Sequence, residues 1–225
     1  MANIFTSSIG KKLIMSITGL FLILFLTVHL VCNFTTVLDP SGKTFELVCE
    51  FMATPFVSIM VPVLAAGFII HIIYAIYLTL YNRKARGNER YAVPHKGHAD
   101  SWASKNMLVL GIIVLGFLAF HMTHFWSDMQ LKEFMGQPSV NPNELMNSVF
   151  SKWYNLVLYI IWFVALWFHL THGFWSAFQT LGFNNNIWIK RWKVIADIVA
   201  TILVAGFIIV AIFAFVKANG ICPAC

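Results

Sequence analysis

Residues 13–37 read LIMSITGLFLILFLTVHLVCNFTTV and contain no Asp, Glu, Lys or Arg. A helix needs about 20 predominantly apolar residues to cross the hydrocarbon core of a bilayer. The stretch is too long for the apolar core of a secretory signal, which spans about 7–15 residues, and it carries His29. It therefore predicts a transmembrane helix rather than a cleaved leader.

Four further stretches are also predominantly apolar, at residues 57–81, 104–127, 154–180 and 195–217. Segments rich in turn-forming residues separate them, such as Asp39-Pro40-Ser41-Gly42. The chain of 225 residues is 59% hydrophobic and 11% charged, whereas a soluble domain is about 25% charged. We predict one all-α domain, 1–225, with five helices in a lipid bilayer. The net charge of +6 lies at the ends of apolar runs, so nucleic-acid binding is not expected.

The distribution of Lys and Arg predicts the orientation of the chain. Cytoplasmic loops of membrane proteins carry an excess of these residues. Eleven of the 15 fall on one side: Lys11, Lys12, Arg83, Lys84, Arg86, Arg90, Lys96, Lys105, Lys190, Arg191 and Lys193. This places the N-terminus in the cytoplasm and the C-terminus outside.

Six of the eight histidines lie inside predicted spans: His29, His71, His121, His124, His169 and His172. Ionisable residues inside a membrane are costly and are functional candidates by default. A single histidine could instead be neutral and hydrogen-bond a neighbouring helix. Packing alone explains six histidines on four spans poorly. His95 and His98 lie in the basic loop instead.

A helical rise of 1.5 Å per residue sorts these histidines by depth. His29 and His121 lie roughly 24 and 26 Å from the inner surface. His71 and His169 lie roughly 15 and 17 Å from it. Each level draws on two helices, as a haem iron held between opposed imidazoles requires. The near absence of carboxylates argues against zinc or di-iron sites. We therefore predict two stacked haems b, with an electron-transfer role because both axial positions are filled.

His124 and His172 each follow another histidine by three residues, so each pair shares a helix face. His124 would lie about 30 Å from the inner surface and His172 about 12 Å from it. Depth alone does not decide whether His169 or His172 is the inner ligand. The second histidine of each pair could instead bond a haem propionate, a quinone or a backbone carbonyl.

The chain also contains four cysteines. Cys32 and Cys49 flank the first outer loop, and Cys222 and Cys225 form a C-terminal CPAC. A single CxxC without a second pair is a weak indication of metal binding or redox activity. The alternative is that CPAC is only the frayed C-terminal end of the chain and has no metal or redox role.

Four motifs on successive spans carry a resemblance to a known family. They are SITG at 16–19 with His29-Leu30 and Asn33, HIIYAIY at 71–77, FHM at 120–122 and FHLTHGFW at 168–175. Over nearly its whole length the chain resembles the di-haem cytochrome b membrane anchor of succinate:quinone oxidoreductases, in its five-helix, single-polypeptide form.

The resemblance implies one iron ligand from each of the first four helices. His29 and His121 would bind the outer haem, and His71 and His169 the inner one. In the family a glycine follows the fourth ligand by four residues, which favours His169 over His172 because Gly173 stands at that position.

The resemblance also implies the partners and the location. A flavoprotein converts succinate and fumarate, and an iron–sulfur protein on the cytoplasmic face exchanges electrons with the anchor. The anchor, a non-flavin subunit of the enzyme, passes them to a quinone, most often menaquinone, in the bacterial cytoplasmic membrane. The whole complex could be a dimer. The basic loop 83–105 is either a docking surface or only a consequence of the positive-inside rule.

A glutamate near the outer end of the second helix supports quinone protonation in some relatives. Glu50 lies in that region and is the candidate for this role, and Glu46 is a less favoured candidate. The alternative is that the glutamate is a solvated acid of the loop. Some relatives carry another glutamate just before the fourth ligand, where this chain has Trp167 and Phe168. A matching proton path is therefore not expected.

Three rival functions remain at this stage. The first is a cytochrome b of the quinol–cytochrome c type, which carries histidines about 13 or 14 residues apart on one helix. Histidines on the same span are only three residues apart here, which argues against that class. A haem transporter or haem-delivery protein without quinone turnover is the main alternative. A purely structural anchor without haem is the third.

Overall fold

The computed structural model describes residues 7–86, 101–183 and 185–221, and within them there is no β-strand. The helices are α1 Ser8–Leu38, α2 Lys43–Met52, α3 Pro55–Ser58, α4 Met60–Arg86, α5 Trp102–Lys105, α6 Met107–His121, α7 Gln130–Phe134, α8 Pro142–Phe150, α9 Trp153–Thr180 and α10 Trp188–Ala218. After His121, α6 continues as a π-helical turn, Met122–Trp126.

Five of these helices are long and apolar enough to cross a membrane: α1, α4, α6 with its π-helical turn, α9 and α10. The predictions of an all-α fold, of five spans and of a multi-pass membrane protein are confirmed. That the chain folds as one domain, 1–225, stays a prediction.

Two helices begin earlier than predicted. Helix α10 begins at Trp188 rather than 195, and α1 begins at Ser8 rather than 13. At the start of α1 the Ser7 hydroxyl oxygen accepts a hydrogen bond of 3.0 Å from the Gly10 backbone N–H, which caps the helix. Both helices extend beyond the apolar stretch into a basic segment, with Lys11 and Lys12 in α1 and Lys190, Arg191 and Lys193 in α10.

The loops that follow α1 and α6 contain helices that the span pattern did not predict. The Asn141 side chain accepts hydrogen bonds from the backbone N–H groups of Asn143 and Glu144, which caps α8. The Glu46 carboxylate on α2 accepts hydrogen bonds from the side-chain amides of Asn141 and Asn143, at 2.8 and 3.0 Å. These bonds tie α2 to α8.

The turn between α1 and α2 is held by Asp39. Its carboxylate accepts hydrogen bonds from the hydroxyls of Ser41 and Thr44, at 2.6 and 2.7 Å. These hydroxyls, Ser41 first, hold the pKa of the Asp39 carboxyl well below its usual range. The predicted turn at 39–42 is therefore present and internally bonded.

The described part of the chain forms two compact units. Unit 1 comprises the described residues of 7–25, 63–86, 101–111, 168–183 and 185–200. Within it α1 approaches α4 at Gly67, where an added Cβ would lie 2.7 Å from the ring of Phe21. Next to this point the rings of Phe25 and Phe68 meet edge to face at 6.1 Å. Close approach at a small residue is the usual way in which membrane helices pack.

Unit 2 comprises Leu26–Pro62, Ile112–Trp167 and Thr201–Cys225. Here α1 approaches α10 at Gly206, where an added Cβ would lie 2.7 Å from Leu30. Phe163 on α9 stacks on Phe207 of α10, with ring centroids 5.7 Å apart. This packing holds α1, α9 and α10 together in unit 2.

Candidate functional site

Unit 1 contains one pair of histidines from two helices. The imidazole centroids of His71 on α4 and His169 on α9 are 6.4 Å apart, with an interplanar angle of 68°. The His169 Nδ1 atom is buried and has no hydrogen-bond partner among the described residues. The structure therefore brings together the two residues predicted as inner ligands.

A threonine orients the first ring of this pair. The Thr18 hydroxyl oxygen lies 3.3 Å from His71 Nδ1, and the same hydroxyl lies 2.9 Å from the Ile14 carbonyl oxygen, to which it donates. Because its only proton is committed there, the Thr18 oxygen accepts from the imidazole. His71 then carries its proton on Nδ1 and keeps the Nε2 lone pair for a ligand.

Two glycines face the imidazoles of the unit 1 pair. A Cβ on Gly19 would lie 3.4 Å from His71 Cε1, and a Cβ on Gly111 would lie 3.7 Å from His169 Cε1. Side chains at these positions would lie directly against the rings. The glycines therefore leave space beside both imidazoles.

Unit 2 contains the second pair. The imidazole centroids of His29 on α1 and His121 on α6 are 5.9 Å apart, with an interplanar angle of 87°. The ring of Phe207 lies 5.8 Å from that of His29, and the ring of Trp162 lies 6.1 Å from that of His121. These are the residues predicted as outer ligands, and they are enclosed by aromatic side chains.

An apolar groove of about 320 Å³, largely open to the outside, lies in the same unit, and Trp162 is one of its lining residues. Phe117, Phe120 and Gly116 of α6 also line it. A Cβ added at Gly116 would meet no atom within 4 Å. The Trp162 ring therefore borders both His121 and open apolar space.

Tyr159 on α9 is a residue of this site that the sequence interpretation missed. Its hydroxyl oxygen lies 3.2 Å from His121 Nδ1 and 3.4 Å from His124 Nδ1. Only 2% of Tyr159 is exposed. A buried tyrosine hydroxyl usually has a hydrogen-bond partner, so a tyrosine inside a predicted span was the available signal.

The spacing of both pairs fits two imidazoles bound to one metal ion. A metal–nitrogen bond of about 2.0 Å, with about 1.1 Å from nitrogen to ring centre, separates two opposed ring centroids by about 6.2 Å. The observed separations are 6.4 and 5.9 Å. Among the described residues no group of three or more His, Cys, Asp or Glu side chains could hold a metal ion alone. Haem needs only two protein ligands, so the paired residues fit it.

The remaining histidines have other neighbours. The His172 ring lies 5.1 Å from the Trp175 ring at 90°, and its Nδ1 has no hydrogen-bond partner within the described ranges. The His124 ring lies 4.1 Å from that of Phe120. His172 is therefore not part of the His71–His169 pair, and His124 is not part of the His29–His121 pair. His95 and His98 lie outside the described residues.

The two candidate acids differ in their surroundings. Hydrogen bonds from Asn141, and then from Asn143, lower the pKa of the Glu46 carboxyl. Glu50 lies on the exposed surface of α2. Glu46 therefore serves as a link between α2 and α8, and the proposed proton-exchange role of Glu50 stays a prediction.

Cys32 and Cys49 are free thiols. Burial raises the pKa of the Cys49 thiol to about 12, so it is not a reactive thiolate near neutral pH. Cys222 and Cys225 lie outside the described residues, so the metal or redox role weighed for CPAC stays a prediction.

In comparisons with known proteins, no family model, no curated protein and no solved structure gives a significant match to the chain.

Proposed function

We propose that the chain is the di-haem cytochrome b membrane anchor of a succinate:quinone oxidoreductase, a succinate dehydrogenase or fumarate reductase. In this proposal His29 and His121 bind the iron of one haem b, and His71 and His169 bind that of the other. The observation that carries it is the presence of two imidazole pairs, each drawn from two helices, at 5.9 and 6.4 Å.

The residues around each pair have definable tasks. Haem, when bound, supplies reversible one-electron transfer between its ferric and ferrous states. Thr18 hydrogen-bonds His71 Nδ1 and so leaves the Nε2 lone pair for a ligand. Phe207 and Trp162 exclude water from the other pair. With two imidazoles holding the iron, no position would be left for oxygen, so the group would supply electron transfer.

The charge pattern supports an orientation of the anchor in the membrane. The Lys and Arg excess puts the N-terminus in the cytoplasm and the C-terminus outside the bacterial cytoplasmic membrane. An iron–sulfur subunit, with its flavoprotein, then docks on the side of the basic loop 83–105. Electrons pass between it and a quinone, menaquinone in this proposal, with Glu50 as the candidate for proton exchange at the quinone.

Quinol-driven reduction of the purified chain tests this function. We expect a soluble menaquinol analogue to reduce bound haem b and to produce a sharp α-band in the reduced-minus-oxidised spectrum. The Glu46→Gln variant is a control in which quinol should still reduce the haem, because Glu46 is a carboxylate that links the loop helices α2 and α8. A chain that binds haem but is not reduced by any quinol would instead fit the alternative, a haem transporter or haem-delivery protein.

A further inference from the structure

We propose that Tyr159 is a positioning residue that accepts a hydrogen bond from His121, which fixes the proton of that ring on Nδ1, and donates its own hydroxyl hydrogen bond to His124. The inference rests on the proposed haem ligation by His121. It gives His124 a role as the end of a hydrogen-bond chain rather than as an iron ligand.

The proton count at the Tyr159 hydroxyl allows two arrangements. One hydroxyl proton lies between two Nδ1 atoms, at 3.2 Å for His121 and 3.4 Å for His124. The hydroxyl can donate to only one of them and accepts from the other. If it donates to His121, that ring carries its proton on Nε2 and cannot bind a metal through this atom.

The second arrangement fits a ligand. His121 donates from Nδ1 to the Tyr159 oxygen, and Tyr159 donates to His124 Nδ1. The His121 Nε2 lone pair is then available to the iron, while His124 carries its proton on Nε2. Metal-bound histidines almost always donate their other ring N–H in this way, and the partner raises the basicity of the ligand.

Three features of the surroundings support a built contact. Tyr159 is 2% exposed, so water does not compete for its hydroxyl. Its ring meets Phe117 edge to face at 4.7 Å, which fixes its position. His124 belongs to the π-helical turn Met122–Trp126, and such turns occur frequently at functional sites.

The expected consequence is a lower midpoint potential for the haem of this pair. A hydrogen-bonded imidazole is a stronger donor and favours ferric iron over ferrous iron. Removal of the hydroxyl reverses this effect, and the ratio of reduced to oxidised haem at a fixed potential rises. In the other pair Thr18 has the equivalent position on His71.

The test is a redox titration of both haems in the Tyr159→Phe variant of the full chain. We expect two haems per chain. The midpoint potential of the His29–His121 haem should rise by up to about 59 mV, which for one electron is a tenfold change in the ratio of reduced to oxidised haem. The midpoint potential of the second haem should be unchanged. Tyr154→Phe is the matched control, because Tyr154 lies on the same helix and is 46% exposed. Thr18→Val should shift only the other haem.

Unchanged potentials in Tyr159→Phe would overturn the inference while the haem assignment stands. Loss of a haem in His124→Phe would overturn the inference and would also make His124 an iron ligand in place of His121. If Tyr159→Phe does not accumulate, His124→Phe tests the same hydrogen-bond chain. This variant should keep both haems and show a smaller positive shift of the midpoint potential. A wild-type chain without haem would instead refute the proposed function itself.

Discussion

Substitution of Gly19 by valine should selectively weaken the His71–His169 haem. A Cβ at Gly19 lies 3.4 Å from His71 Cε1 and 3.8 Å from its Nδ1, which is ordinary contact. The γ-methyl groups of valine extend about 1.5 Å further. A methyl group directed at α4 then overlaps the imidazole and pushes it from the position that Thr18 holds.

The size of the effect follows from the cost of overpacking. Extra methyl groups in a packed site cost about 1–3 kcal/mol, and each 1.4 kcal/mol is a factor of ten in affinity. We expect the inner haem to bind about 5- to 150-fold more weakly, while the other haem is retained. Haem titration of the purified variant in detergent, followed at the α-band, measures both affinities.

Two variants control this experiment. Gly19→Ala stops at the contact distance and should have little effect. Gly116→Val introduces the same side chain where no atom lies within 4 Å of the added Cβ, and it should leave the inner haem unchanged. Equal haem affinity in Gly19→Val and in the wild type would refute the placement of Gly19 beside a ligand.

Three further substitutions test the site residues. His29→Ala should remove one of two haems, as measured by pyridine haemochrome, and loss of both would contradict independent pairs. His172→Ala should keep both haems, because its ring contacts Trp175; loss of the inner haem would make it the ligand. Glu50→Gln should slow haem reduction by quinol by at least about 100-fold, the usual contribution of a proton-transfer group, with unchanged spectra; an unchanged rate would leave Glu50 a loop acid.

The sequence predicted the spans well because a long apolar run without charge has few alternatives to a membrane helix. Counting residues along the helices placed the histidines at two levels, but the choice of His169 over His172 came from the family resemblance. The predicted pairs, His29 with His121 and His71 with His169, do lie side by side. Depth is set by the constant rise of a helix, so it can be read from residue numbers.

The hydrogen-bond partners of the histidines depend on helix rotation and could not be predicted in the same way. Tyr159 lies 21 residues before the end of α9, about 32 Å along the helix. That depth is close to the one counted for His124 and about 6 Å further out than the one counted for His121, and counting does not show which face Tyr159 presents. The π-helical turn after His121 was also missed, because a local change of winding has no composition signal.

The haem content of the purified wild-type chain tests the central claim most directly. Pyridine haemochrome measured against protein concentration should give two haems b per chain. A value of zero would contradict the account, because the paired imidazoles would then be packing residues alone.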